Sequence, residues 1–300
     1  MSKVKALLSK PHTPKRVVLL GGGGFIGRGL SALFDKKNIP YLTISHQELD
    51  LTKPESSRAL SARLQPEDVV VILSALTPRY GRGIDVFVKN ICIAQTICNA
   101  LQEVKASHVV YLSSDAVYPF EGALINEESA AVPLDLYGAM HRSREIMFQA
   151  AAHAPLISLR STLVYGKGDP HNSYGPNRMR RSSREQKKIM LFGKGEEVRD
   201  HIFIDDLTNL ILQVILYRCE GVLNLATGSS ISYWDLAHKI AHLFDEEIVI
   251  ETSQRHNPIT YRHYDVTAIY ELFPFFQFTP LDDALIMIDA KESKYQLAET

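Results

Sequence analysis

Three hundred residues, 45% of them hydrophobic and 22% charged, can bury one large core or a core with a smaller partner domain, and they exclude a disordered chain. A formal net charge of −1 excludes a general field for nucleic acid, so any anionic ligand has to be gripped locally. Cys92, Cys98 and Cys219 lack metal-ligand or C-x-x-C spacing; they read as reduced core residues of a cytoplasmic protein, and no metal site is expected.

Residues 1–13 carry one short apolar run, Ala6-Leu7-Leu8, too brief for a signal-peptide core, and read as a loose tail. No apolar run approaches the roughly 20 residues that span a bilayer, so no membrane partner is expected. Val17-Val18-Leu19-Leu20 reads as a buried parallel strand that runs directly into a glycine turn and an amphipathic segment over 28–36. Gly21, Gly24 and Gly27 fall at a G-x-x-G-x-x-G spacing. The first permits a tight turn, the second a close approach of a pyrophosphate, and the third close packing of helix on strand. The phosphates then meet the N–H groups of the helix start around Phe25 and Ile26.

A second strand over 41–45 arrives about 20 residues after the glycines, where an acid that reads the ribose of NAD is expected. It ends in Ser45-His46 instead. Glu48 or Asp50 can serve from the following turn, and Arg28 can reach a 2′-phosphate, so NAD and NADP both stay open. A short helix over 51–64 and a buried strand over 68–74 establish the alternation of a doubly wound parallel sheet. A helix over 85–104 with a wide apolar face precedes a strand over 108–113. That strand ends in Ser113-Ser114-Asp115-Ala116-Val117-Tyr118, polar residues beside the crevice where such sheets bind ligands.

In the helix over 137–152, Tyr137 and His141 stand at i and i+4 on one face, a candidate proton-transfer pair. Another strand spans 155–160. From His171 to Lys188 the chain turns polar and basic; Arg180, Arg181, Arg184, Lys187 and Lys188 read as a solvated helix face. A strand-to-helix unit at 201–206, a late strand at 222–226 and a helix capped by Ser232 follow. The expected organisation is a dinucleotide-binding domain over 14–170 and 201–228, with a smaller α+β substrate-binding cap over 171–200 and 229–300.

Together these residues resemble the extended short-chain dehydrogenase/reductases, in the epimerase/dehydratase branch that works on nucleotide sugars. The resemblance is carried by Gly-Gly-Gly-Gly-Phe-Ile-Gly at 21–27, Leu112 to Tyr118, Tyr137-Gly138, Leu159-Arg160 to Val164-Tyr165-Gly166, and Val198-Arg199-Asp200 before Ile204-Asp205-Asp206. It implies a Rossmann fold, NAD or NADP as cofactor, a homodimer built on the 85–104 and 137–152 helices, and a nucleotide-sugar substrate. It assigns Ser114 to polarise the reacting oxygen and Tyr137 as acid/base. Cofactor contacts then fall at Gly21, Gly24, Phe25, Ile26, Gly27, Asp50, Leu51, Ser74, Ala75, Tyr137 and His141. Substrate contacts fall at Asp115, Asn177, Arg199 and Arg262, the two arginines holding a diphosphate.

Two departures narrow the expectation. His141 stands where the family has lysine, and an imidazole near its ordinary pKa of about 6.5 carries little charge at pH 7. If it works by charge, turnover should vary across roughly pH 6 to 7.5. Asp115-Ala116 replaces the Asp-Glu of the sugar dehydratases, which leaves epimerisation or reduction as the expected hydride chemistry. The alternative is a dinucleotide-binding protein of the same fold whose catalysis has weakened with the lysine, acting as a sensor or partner.

Overall fold

The computed structural model describes residues 3–119, 124–170, 175–255 and 258–296. A two-residue strand, β1 (Lys5–Ala6), precedes β2 (Arg16–Leu20), and the glycine turn then opens α1 (Phe25–Lys37). Next come β3 (Tyr41–Ile44), α2 (Ser56–Ser61), β4 (Asp68–Ile72) and α3 (Ile84–Glu103). β5 (His108–Ser114), α4 (Leu136–Ala151), β6 (Leu156–Ser161) and β7 (Leu163–Tyr165) follow. α5 (Gly175–Gln186), β8 (Lys188–Phe192) and β9 (Val198–Arg199) lead to β10 (His201–Phe203), α6 (Ile204–Leu216) and β11 (Cys219–Leu225). The described chain closes with β12 (Ile231–Ser232), α7 (Tyr233–Ala241), β13 (Val249–Ser253), α8 (Thr267–Leu272) and α9 (Leu281–Gln296).

Seven strands form one sheet in the order β3-β2-β4-β5-β6-β11-β1, parallel throughout except for β1. Both faces are covered, which is why the strands are apolar without alternation. Val17, Leu19, Val69 and Val71 pack with Leu30 of α1 and Leu207 of α6, whereas Val18, Leu20, Val70 and Ile72 pack with Ile93 and Ile97 of α3 and Phe148 of α4. The strand order reverses between β2 and β4, and the crevice at their carboxyl ends is where such a sheet takes a ligand.

Beside the sheet, β8 pairs with β13 and β9 with β12, so a smaller lobe is assembled from two separate stretches of chain. Its core is continuous with that of the sheet through Met179, Leu191, Leu236 and Ile240. Ile269 of α8 and Leu285 of α9 join Leu207 and Leu210 of α6 in the same core, so this part of the expected cap packs on the dinucleotide-binding half.

Four expectations are corrected. The tail is tied down: Lys5 pairs with Glu220 and Ala6 with Cys219 across the sheet edge, and the His12 amide donates to the Leu216 carbonyl at 2.9 Å. The helix expected over 51–64 is confined to α2, since Asp50–Pro54 is taken up by turns closed by the Lys53 amide on Asp50 and the Thr52 amide on the Asp50 side chain. α3 is long and apolar enough to cross a bilayer, and half of that window is buried against the rest of the protein. The basic stretch is only partly a solvated face: in α5 Arg180 is buried beside Met179 and Ser183, and the Arg181 Nη1 donates to the Asp169 carbonyl at 2.8 Å. The opening of that stretch, 171–174, lies outside the described residues.

Candidate active site

The glycine turn sits at the point where the sheet order reverses. Gly21 has φ +90°, and a Cβ there would lie 2.8 Å from the Ser74 amide nitrogen, so backbone from the ends of β2 and β4 meets without side chains between. A Cβ on Gly27 would lie 2.5 Å from the Gly22 carbonyl oxygen, so α1 rests directly on the turn. Gly24, at the cap of α1, is crowded at one point: a Cβ there would lie 3.3 Å from the Gly21 carbonyl oxygen. α1 has no acid in its first turn and no side-chain cap, whereas α4 and α7 are capped by Asp135 and Ser232. Its start at Phe25, Ile26 and Gly27 therefore presents N–H groups and a positive dipole end to the cradle, the chemistry a pyrophosphate needs. Gly24→Val is expected to fold with a small local shift at the Gly21 carbonyl, which a Cβ would crowd, and to abolish NAD(H) binding in fluorescence titration. Unchanged affinity would remove the cofactor from this turn.

At the end of β3 the Glu48 carboxylate accepts the Ser45 amide at 2.7 Å, and that hydrogen bonding holds its pKa below the ordinary value. An ionised acid thus stands where the ribose of a dinucleotide is read. Asp50 caps its own turn, accepting from the amide and hydroxyl of Thr52, and Leu51 points into the core with only its backbone left for a ligand. Arg28 is corrected: its guanidinium donates to the Gly23 carbonyl at 2.7 Å and the Gly168 carbonyl at 3.3 Å, bracing the turn instead of reaching the end of β3. The loop after β4, with Ser74 and Ala75, is fixed by two buried polar side chains that sequence reasoning did not single out. Asn90 of α3 exchanges hydrogen bonds with both backbone groups of Leu76, and Arg144 of α4 donates to the Ser74 carbonyl at 2.7 Å.

Ser114 ends β5, where its Oγ accepts the Ala116 amide at 3.1 Å and caps a single helical turn over 115–117. Asp135 accepts the Gly138 amide at 2.8 Å and starts α4. Only glycine fits at 138, because a Cβ would run into the Ala116 carbonyl and the Pro133 ring. This contact seats the first turn of α4, and Tyr137 with it, against the strand end that carries Ser114.

His141 does not occupy the site as a charged or ribose-facing group. It is 3% exposed; its Nδ1 lies 2.8 Å from the Tyr111 hydroxyl, and its Nε2 is buried with no hydrogen-bond partner among the described residues. Burial, assisted by the Arg144 charge, pushes its pKa down to about 3. Desolvation thus favours the neutral imidazole throughout the range in which its charge was expected to fade, and argues against a pH-dependent contribution from 141.

Of the expected substrate residues, Asp115 and Arg262 are brought together, and all four are engaged with protein. Arg262 donates to the Asp115 carboxylate at 2.8 Å and to the carbonyls of Asp115 and Tyr118, and Tyr264 donates to the same carboxylate at 2.8 Å. Arg262 thus clamps the end of β5 instead of standing open to a diphosphate. Arg199 donates to the carbonyls of Val198 and Thr260 at 2.9 Å and to the Thr260 hydroxyl. Asn177 accepts the Gly166 amide and donates to Asp169, closing the turn after β7. Beneath Ser114 lies a buried ion pair: Arg160 grips both oxygens of Glu145 at 2.9 Å, and Ser113 donates to the same carboxylate at 2.7 Å. The polar residues of α4 at i+4 and i+8 from Tyr137 were the available signal for this buried seam. Among the described residues no cluster of three metal-ligating side chains occurs.

Known proteins resemble this chain at low identity. The GDP-6-deoxy-D-talose 4-dehydrogenase of Aggregatibacter actinomycetemcomitans is 24% identical over 84% of this chain and 86% of its own length. The dTDP-L-rhamnose 4-epimerase of Burkholderia thailandensis is 24% identical over 76% of this chain and 80% of its own. The solved UDP-glucose 4-epimerase of Thermus thermophilus, complexed with NAD, superposes with a TM-score of 0.78 at 17% identity, covering 91% of this chain and 97% of that one. The family model named for the NAD dependent epimerase/dehydratase family matches residues 17–226, the whole span from β2 to β11 that builds the crevice, and the chain belongs to that family.

Proposed function

We propose that this chain is an NAD-dependent epimerase or reductase of a nucleotide-linked sugar. The observation that supports the reading is the packing of Gly138 on the Ala116 carbonyl, which brings the first turn of α4, where Tyr137 lies, to the end of β5 that carries Ser114, the same end of the sheet as the glycine cradle. The bound nicotinamide supplies the hydride acceptor and donor. Tyr137 takes or returns the proton of the sugar hydroxyl, and Ser114 donates a hydrogen bond to the oxygen as it changes between alcohol and ketone. Nucleotide sugars are the substrates by which the relatives above are named, which supports that class here. Dehydration is disfavoured, because Asp115 is bound by Arg262 and Tyr264 and is followed by Ala116. The ionised Glu48 at the ribose position repels a 2′-phosphate and favours NAD over NADP.

The exposed apolar residues Ile84 and Val88 on α3 and Ile146 on α4 support a homodimer through these two helices. The three free thiols, with Cys98 and Cys219 pushed up by burial to about 11 and about 12, suit a reducing cytoplasm. Native mass spectrometry is expected to show dimers of the 33.7 kDa chain carrying NAD. Incubation with UDP-, GDP- and dTDP-linked hexoses is expected to yield an epimer or, with NADH, a reduced keto-sugar. Monomers without dinucleotide, and no turnover of any sugar, would overturn the proposal and leave a non-catalytic role.

A further inference from the structure

Arg144 is the largest fully buried side chain described, and it is a cation with no carboxylate partner among the described residues. Burying a charge in this way costs several kcal/mol unless its surroundings repay it, and an apolar side chain of the same length would fill the space without that cost. The neighbouring Glu145 is already bound by Arg160 and Arg142. Arg144 instead donates to two neutral oxygens, the Ser74 carbonyl at 2.7 Å and Asn90 Oδ1 at 3.3 Å, and its guanidinium lies 5.2 Å from the ring centre of Tyr111.

Tyr111 connects that charge to the site. Burial pushes its pKa up, so the phenol stays protonated, and the partner recorded for its hydroxyl is His141 Nδ1 at 2.8 Å. With the phenol donating to Nδ1, the imidazole proton sits on Nε2, and this is the tautomer through which the charge can act. The His141 ring in turn meets the Tyr137 ring edge-on, with centroids 4.7 Å apart. Arg144, Tyr111, His141 and Tyr137 therefore form one contiguous line from a fixed cation to the acid/base.

We propose that Arg144 is a positioning residue of this site, whose permanent charge acts through Tyr111 and His141 to favour tyrosinate at Tyr137, and so replaces the cation that the family carries at position 141. This rests on Tyr137 being the acid/base. A cation over the Tyr111 ring strengthens its O–H as a donor. That donation draws electron density from the imidazole and leaves the Nε2–H edge more positive, a polarisation that a low-dielectric interior transmits well. The charge is constant over the working range. Guanidinium does not titrate there. Of the groups that face Arg144 and His141, Cys98 of α3 is held neutral with its pKa at about 11, Tyr111 of β5 is protonated, and His141 of α4 is neutral.

The test is an ultraviolet difference titration of tyrosinate in the NAD-loaded protein. Each variant is compared with its own Tyr137→Phe counterpart, so that Tyr137 is isolated from the other tyrosines. In the wild type the Tyr137 pKa is expected below the ordinary value of about 10. Arg144→Met is expected to raise it by about one unit, a tenfold loss of tyrosinate, and Arg144→Lys to restore most of the shift. The pair His141→Lys with Arg144→Met moves the cation one turn back and is expected to return the pKa to the wild-type value; Arg144→Gln, which removes the charge but keeps an amide donor, is expected to raise it as Arg144→Met does and keeps the test decisive if Arg144→Met alone is unstable. A wild-type value near 10 that no variant moves would overturn the acid/base reading itself. A lowered wild-type value unchanged in Arg144→Met, or a double variant no better than Arg144→Met, would overturn the role of Arg144 alone.

Discussion

Tyr137→Phe is expected to lower turnover of the sugar nucleotide by about two to four orders of magnitude, the range that a positioned general acid or base supplies. NAD affinity and thermal stability should change little. The substitution removes one oxygen and keeps the ring that meets His141 at 4.7 Å, and Tyr137 lies on the first turn of α4, whose seating depends on Gly138 and Asp135. The rate of the wild type should also be flat between about pH 6 and 7.5, because the imidazole nearest the phenol does not ionise there. Steady-state rates of both proteins on one verified substrate, with NAD binding measured by calorimetry, decide the matter. Equal rates would remove Tyr137 from the chemistry, and a rate that changes with an apparent pKa near 6.5 would restore a charge to His141.

The contrast at His141 shows where sequence reading loses purchase. The i, i+4 spacing places His141 under Tyr137, and the structure agrees, but the protonation state depends on what lies across from α4. Burial against β5, where Tyr111 lies thirty positions earlier, decides it first, and the Arg144 charge adds to it. Arg262 is a similar case. Its partner Asp115 is distant in sequence, and a guanidinium read as open to a ligand proves to be half of a buried clamp. The parallel sheet was legible because its signal is local: apolar runs, a glycine turn at fixed spacing, and amphipathic helices between strands. The edge strand β1 was not, since two residues carry no periodicity and its partner lies at Cys219 and Glu220.

A steep loss of stability is expected on acidification. His108, His141 and His201 are all buried, and burial lowers their pKa values to about 4, about 3 and about 3. In the unfolded chain each titrates near 6.5. Below that value the unfolded state binds protons that the folded state refuses, so the stabilisation is complete above about pH 6.5 and is lost as pH falls toward 4. Each histidine contributes a slope of about 1.4 kcal/mol per pH unit, and the three together about 4 kcal/mol per unit. Asp200, Asp206 and Glu127, whose pKa values burial raises, act in the opposite direction and offset part of this near the acid end. Urea unfolding at pH 7.5, 6 and 5 should therefore show a loss of several kcal/mol over the last interval. His108→Gln keeps a donor for the Cys219 carbonyl, 2.7 Å away in the native protein, and should reduce the slope by about a third. Stability that stays level from pH 7.5 to 5 would mean that the buried imidazoles acquire protons without unfolding.

The pairing of β1 with β11 has a consequence for how the chain is made. A ribosome releases Lys5 and Ala6 first and their partners Glu220 and Cys219 long afterwards. Until then the nascent sheet has an unclosed border, and the apolar strands β2, β4, β5 and β6 can assemble in parallel without it. An open border is a template for pairing with other chains. Lys5 and Ala6 thus wait longer for their partners than any other strand of this sheet, and the border they close is sealed only after synthesis has passed β11.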